Sequence, residues 1–222
     1  MSLWRNESQN RHLVRGSGFA AVVVARSRIS SSAFVREGVG YCNFMNQLSG
    51  RRVAILATDG VEQIELVQPW RALESEGAAV TLVSLESGEI QAFDHDTDPA
   101  DTFTVGAAVS EVAADDFDAL VLPGGTTNPD KLRQDRDAVQ FVKDISDAGK
   151  PIGVICHGPW TLIEADVVRG RTLTSYPSLR TDIRNAGGNV VDEEVVCDDG
   201  LVSSRNPGDL PAFCRKIIEQ FA

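Results

Sequence analysis

The stretch Val154-Ile155-Cys156-His157-Gly158-Pro159-Trp160 carries the sharpest chemical signal in this chain. A nucleophile on a tight turn between a strand and a helix is held exposed above the sheet. Pro159 suits the first helical position. A helix N-terminus close to a sulfur favours its thiolate, and His157 supplies an adjacent base. A free cysteine is otherwise often buried and inert. That reading fits Cys197 and Cys214, which lie among apolar neighbours on a strand and a helix, better than it fits Cys156 at this junction.

Two further groups could act with Cys156. Gly124 and Gly125 follow an apolar run and can offer backbone N–H groups; with the N–H of His157 they could form an oxyanion hole. Pro-Gly-Gly is also a strong turn signal anywhere. Glu62 and Glu65 are three apart and share one helix face. Glu62 reads as an exposed helix charge, whereas Glu65, between Ile64 and Leu66, can point into a crevice. A carboxyl beside a thiolate tends to be protonated by burial and like-charge repulsion, and then donates a hydrogen bond to sulfur. Asp94-His95-Asp96-Thr97-Asp98 resembles a calcium loop but has Pro99 at the glycine position and Val105 at the last acidic one, so it reads as a solvated acidic loop. Neither a P-loop nor a G-x-G-x-x-G follows the first strand, and nucleotide binding lacks support.

The elements that must hold these residues are short apolar runs alternating with helical patterns. Val53–Ala57, Val80–Leu85, Ala119–Leu122 and Pro151–Ile155 read as strands, the continuous ones as buried parallel strands. Helical spacing runs from Val61 to Leu73 with a kink or interruption expected at Pro69, then over 137–148, 159–168 and 207–221. Gly88–Phe93 could pair as a hairpin arm, and short strands fall near Val195–Cys197 and Leu201–Ser203. The alternation implies an α/β fold, a mostly parallel sheet covered by helices on both faces. Sites in such sheets form beyond the carboxyl ends of the strands. Cys156, Gly124-Gly125 and the 59–65 stretch all fall there.

Composition bounds the function. The 222 residues are 42% hydrophobic and 24% charged, an ordinary globular mix. A net charge of -11 argues against binding a phosphate backbone. No apolar run is long enough for a membrane span. The four cysteines lack C-x-x-C and zinc spacing and there are three histidines, so no metal site is expected and a reducing, cytoplasmic setting is. Residues 1–44 differ from the rest. They hold six Arg, no Lys and two acids, about +4 of charge, against -15 for the remainder. They read as a leader or extension without a fold of its own, and 45–222 as a single domain.

Together these residues resemble the ThiJ/PfpI superfamily, in its branch of PfpI-type intracellular proteases and stress proteins. The matching stretches are VAILATDGVEQIEL, FDALVLPGG, NPDKLR, KPIGVICHGPW, VVRGRTLTSYPSL, NAGGNVVDEEVV and LVSSRNPGDLPAF, in that order. The resemblance implies a flavodoxin-like sandwich with Cys156 as nucleophile on its elbow, His157 beside it and Glu65 on the sulfur. It implies a further acid, which matches Asp130 here where relatives often have Glu, one methylene longer. That acid is expected from a neighbouring subunit, with homodimers as the basic unit and hexamers as a larger assembly. Trp160 stands where many relatives carry Gln and would make a bulkier pocket wall. Related glutamine amidotransferases use a His-x-Glu pair downstream of the cysteine; no histidine follows His157, which argues against that activity.

Three functions are then open. One is a stress-response enzyme acting without cofactor on small reactive carbonyls or glycation adducts, of glyoxalase or deglycase type. The second is an intracellular cysteine peptidase. The third is a non-catalytic redox sensor or chaperone in which Cys156 is oxidised. The first two need the same residues.

Overall fold

The computed structural model describes residues 46–222. The expected extension, 1–44, lies outside the described residues. In chain order the strands are β1 (Arg52–Leu56), β2 (Val61–Glu62), β3 (Ala79–Ser84), β4 (Glu89–Asp94), β5 (Asp98–Thr104), β6 (Ala107–Ala108), β7 (Ala119–Leu122), β8 (Ile152–Ile155), β9 (Thr172–Leu173), β10 (Asn189–Val190), β11 (Val195–Asp198) and β12 (Leu201–Ser204). The α-helices are α1 (Gln63–Ser75), α2 (Thr127–Leu132), α3 (Arg136–Asp147), α4 (Pro159–Glu164), α5 (Arg180–Asn185) and α6 (Leu210–Phe221).

The main sheet has the order β11-β12-β8-β7-β1-β3-β6. Its pairs are parallel except β11 with β12. Side chains alternate across it. Ala54, Leu56, Leu120, Leu122 and Val154 pack with α3 and α4 on one face. Val53, Ile55, Val121, Ile155 and Val202 pack with α1 and α6 on the other. Strands buried on both faces can be apolar throughout, which is why they read as continuous runs. The α/β sandwich expected from the sequence is the fold observed.

The chain leaves β1 for β3 on one side and for β7 on the other. This places a topological switch point between β1 and β7, and such points open a crevice beyond the strand ends. Two helices differ from the sequence reading. Helix α1 continues through Pro69 to Ser75, with Pro69 buried inside it, because the packed apolar face outweighs one missing hydrogen bond. The helix expected over 159–168 stops at Glu164, where Asp166 takes a positive φ of 54°. The acidic stretch 94–98 is solvated as read; its residues 95–97 are the turn of a β4–β5 hairpin whose tip is tied down. The backbone N–H groups of His95 and Asp96 each donate to the Glu62 carboxylate at 3.3 Å, and Asp96 accepts from Thr126 N at 2.7 Å. Glu62 is therefore buried rather than an exposed helix charge. No described helix is long and apolar enough to cross a membrane.

Candidate active site

The turn after β8 is built around strain. Cys156 has φ 61°, a left-handed conformation uncommon for a side chain other than glycine, asparagine or aspartate. The chain turns from β8 into α4 at this residue, so the side chain stands clear of the sheet. Gly124 makes the close approach possible. A Cβ there would lie 2.6 Å from Glu65 Oε2 and 2.7 Å from Cys156 Cβ. Asn128, a residue the sequence reading passed over, fixes this glycine turn. It is fully buried, accepts from Thr58 N at 2.8 Å and donates to the carbonyls of Pro123 and Gly124 at 3.0 Å. One side chain thus ties the end of β1 to the end of β7.

Glu65 projects from the first turn of α1 to the sulfur and is fully buried. Its Oε2 accepts from Gly124 N at 2.9 Å. Its Oε1 has no hydrogen-bonding nitrogen or oxygen, and the carboxyl interacts with the Cys156 sulfur. Burial raises the Glu65 carboxyl to about 8, while the Gly124 N–H and the sulfur pull it down. At neutral pH it is therefore chiefly protonated, as expected for a carboxyl beside the sulfur.

Burial pushes the Cys156 thiol up as well, and a charged Glu65 adds to that push. The N–H groups of Gly125 and His157 work the other way. The part owed to Glu65 is absent whenever that carboxyl is protonated. Helix α4 has six residues, so its terminus is a weaker influence than the sequence suggested. His157 Nδ1 lies 3.2 Å from Cys156 Sγ. Burial lowers the pKa of His157, which favours the neutral ring able to accept a proton from the thiol.

The cleft above Cys156 has a volume of about 230 Å³. Glu65, Gly125, His157, Tyr176, Pro207 and the hairpin tip at His95 and Asp96 are among its walls. Tyr176, Pro207 and the tip were missed, because only the fold brings three distant segments over one strand end. The N–H groups of Gly125 and His157 are turned to the sulfur and favour its thiolate. Gly124 does not join them, since its N–H is already bonded to Glu65.

Trp160 does not line this cleft. It packs against the His157 ring at 5.3 Å between centroids and donates from Nε1 to Asp182 at 3.0 Å. Asp130 is exposed on α2, where its carbonyl accepts from Gln134 Nε2 at 2.7 Å. Within one chain it is not bonded to His157. Cys197 is exposed, contrary to the core reading, because it sits on the edge strand β11; Cys214 is half-buried. Among the described residues no cluster of metal-ligating side chains occurs.

A family model described as DJ-1/PfpI matches residues 51–220, nearly the whole described fold. The chain belongs to the DJ-1/PfpI family. A deglycase of Pyrococcus abyssi is 45% identical over 168 residues, which cover 76% of this chain and 98% of that protein. General stress protein 18 of Bacillus subtilis is 42% identical over 170 residues, 76% of this chain and 96% of that protein. Among solved structures, a two-domain protein of Anabaena variabilis with DJ-1/ThiJ/PfpI-like and ferritin-like domains superposes with a TM-score of 0.72 at 34% identity. That match covers 77% of this chain and 49% of the Anabaena chain. The family resemblance read from the ordered motifs is thereby established, as is its fold.

Proposed function

We propose that this protein is a cysteine-dependent deglycase acting on adducts of small 2-oxoaldehydes. The observation that carries the reading is a thiol held between a protonated carboxyl and a neutral imidazole at the floor of a cleft of about 230 Å³. Such a volume suits a small adduct better than a peptide segment. The similarity to a deglycase and to a stress protein supports it.

The chemistry follows from these groups. Cys156 Sγ bonds to the carbinolamine carbon of the adduct as the bond from that carbon to nitrogen breaks; the thiol proton passes by way of His157 Nδ1 to the departing amine, and a hemithioacetal remains whose oxygen faces the N–H groups of Gly125 and His157. Proton shifts through His157 and Glu65 then carry hydrogen from the aldehyde carbon to the neighbouring carbonyl carbon, leaving a thioester. Water cleaves the thioester to a 2-hydroxy acid and restores the thiol. One carbon is oxidised and its neighbour reduced, so no external oxidant or reductant is consumed and no cofactor is required.

Asp130 enters this reading from a neighbouring subunit of a homodimer or hexamer, as the family resemblance implies. The free thiols of Cys156, Cys197 and Cys214 suit a reducing, cytoplasmic setting. The test compares release of amine and 2-hydroxy acid from a methylglyoxal–lysine adduct with peptide cleavage, for the native protein and Cys156→Ser. Adduct turnover lost in the variant supports the reading. Peptide cleavage without adduct turnover would replace it with a peptidase. Absence of both, with peroxide adding mass at Cys156 alone, would replace it with a redox sensor.

A further inference from the structure

His157 needs a partner on its far nitrogen if the near one is to exchange protons with sulfur, because the partner selects the tautomer. Within the chain that partner is Ser178, whose Oγ lies 3.2 Å from His157 Nε2. The ring is further held by stacking on Tyr176, with centroids 4.5 Å apart and planes 29° apart. Ser178 is not placed by chance. It sits in the 3₁₀ turn Pro177–Leu179, whose last residue is fully buried. Tyr176 N donates to the carbonyl of Cys156 at 3.0 Å, and Thr174 N donates to Ser203 Oγ at 3.0 Å. The segment carrying Ser178 is thus fastened to the elbow itself and to β12.

We propose that Ser178 is the positioning residue of His157. Its Oγ accepts the Nε2–H, which leaves Nδ1 bare and aimed at Cys156 Sγ. The thiol proton moves to Nδ1 as the carbon–sulfur bond forms, and a proton returns to sulfur when the bond breaks. Oγ accepts from Nε2 in the neutral and in the protonated ring alike, so the bond survives the proton transfer. A hydroxyl adds no charge, and the ring therefore keeps its lowered pKa, which a carboxylate on Nε2 would raise. The hydroxyl hydrogen of Ser178 remains to donate to water or to a neighbour's Asp130. One chain thereby orients its own base, whether or not an acid arrives from outside.

The role in turnover rests on the deglycase reading; the tautomer does not. Nitrogen-15 NMR of the histidine rings reports the tautomer directly, with His157→Gln to assign the signal. The native protein should show His157 protonated on Nε2 and bare on Nδ1. Ser178→Ala should give averaged tautomers, and Ser178→Thr should restore the native pattern. Adduct turnover should fall about tenfold in kcat for Ser178→Ala with KM unchanged, and recover in Ser178→Thr. The rate of Cys156 alkylation by iodoacetamide should fall with it. A native ring protonated on Nδ1, or a Ser178→Ala protein with unchanged tautomer and alkylation rate, overturns the proposal. If the native protein does not turn over the adduct, the deglycase reading fails, while tautomer and alkylation still decide the role of Ser178.

Discussion

Cys156 follows β8 and Asp130 lies beyond β7, two adjacent strands of one sheet, and their surroundings are opposites. The cysteine is buried in a strained turn, with Glu65, Gly125 and His157 each fixed against it. The aspartate is exposed on a six-residue helix, and the polar side chain it meets is Gln134 of its own surface. One chain completes the sulfur environment by itself. Asp130 faces outward, clear of the sulfur. Chemistry that depends on strain and low dielectric is built into the core, because mobile surface groups cannot hold it.

The largest effect expected of any change falls on the buried half. Cys156→Ser should lower adduct turnover by about a thousandfold or more, since a hydroxyl is a far weaker nucleophile near neutral pH. Steady-state release of the 2-hydroxy acid checks this, and a small loss would break the comparison at its centre.

Glu65→Gln should cost about a hundredfold in kcat. It should also change two pH dependences. The carboxyl is active as the protonated group, so native activity should decline as pH rises through about 8. The Gln variant should lose that alkaline limb. Its folded pKa lies above the ordinary 4.5, so the native state retains a proton that the unfolded chain releases. The contribution of Glu65 to native stability should accordingly be full below about 4.5 and decline up to about 8, by about 1.4 kcal/mol per pH unit. Urea unfolding across that range should show a flatter profile for Glu65→Gln.

Asp130→Ala should lower turnover by about tenfold while leaving Cys156 alkylation unchanged, the signature of a group outside the sulfur environment. Mixing Cys156→Ser with Asp130→Ala subunits should recover part of the activity if the acid acts between chains. No recovery, with subunit exchange verified by mass spectrometry, would confine the site to one chain.

The smallest effect concerns the other thiols. Cys197 is exposed on an edge strand and should be labelled by a maleimide without loss of turnover. Burial raises Cys214 to about 11, and it should label slowly. Peptide mapping after a short exposure checks both. Loss of activity on labelling Cys197 alone would show that the edge of the sheet is coupled to the cleft.

The sheet was legible because buried parallel strands must be apolar throughout and short, and helices between them must carry one apolar face. The elbow was legible because Cys-His-Gly-Pro changes strand into helix within four residues, and few chemistries use that junction. Glu65 was legible from its apolar neighbours in the first turn after the first strand. What stayed hidden depends on segments distant in sequence. Trp160 read as a pocket wall, yet helix rotation turns it behind His157 to Asp182. Gly124 read as an oxyanion donor, and its N–H is taken by Glu65 from an element 59 residues earlier.

Residue types and local spacing determined which groups could react here and on which strand ends they stand, since strand and helix periodicity are properties of short stretches. Tertiary structure decided which of their hydrogen-bonding partners are already engaged. Ser178, Asn128 and the hairpin tip are ordinary polar residues in sequence, and their roles arise from the 3 Å scale of hydrogen bonding between segments that only folding brings together.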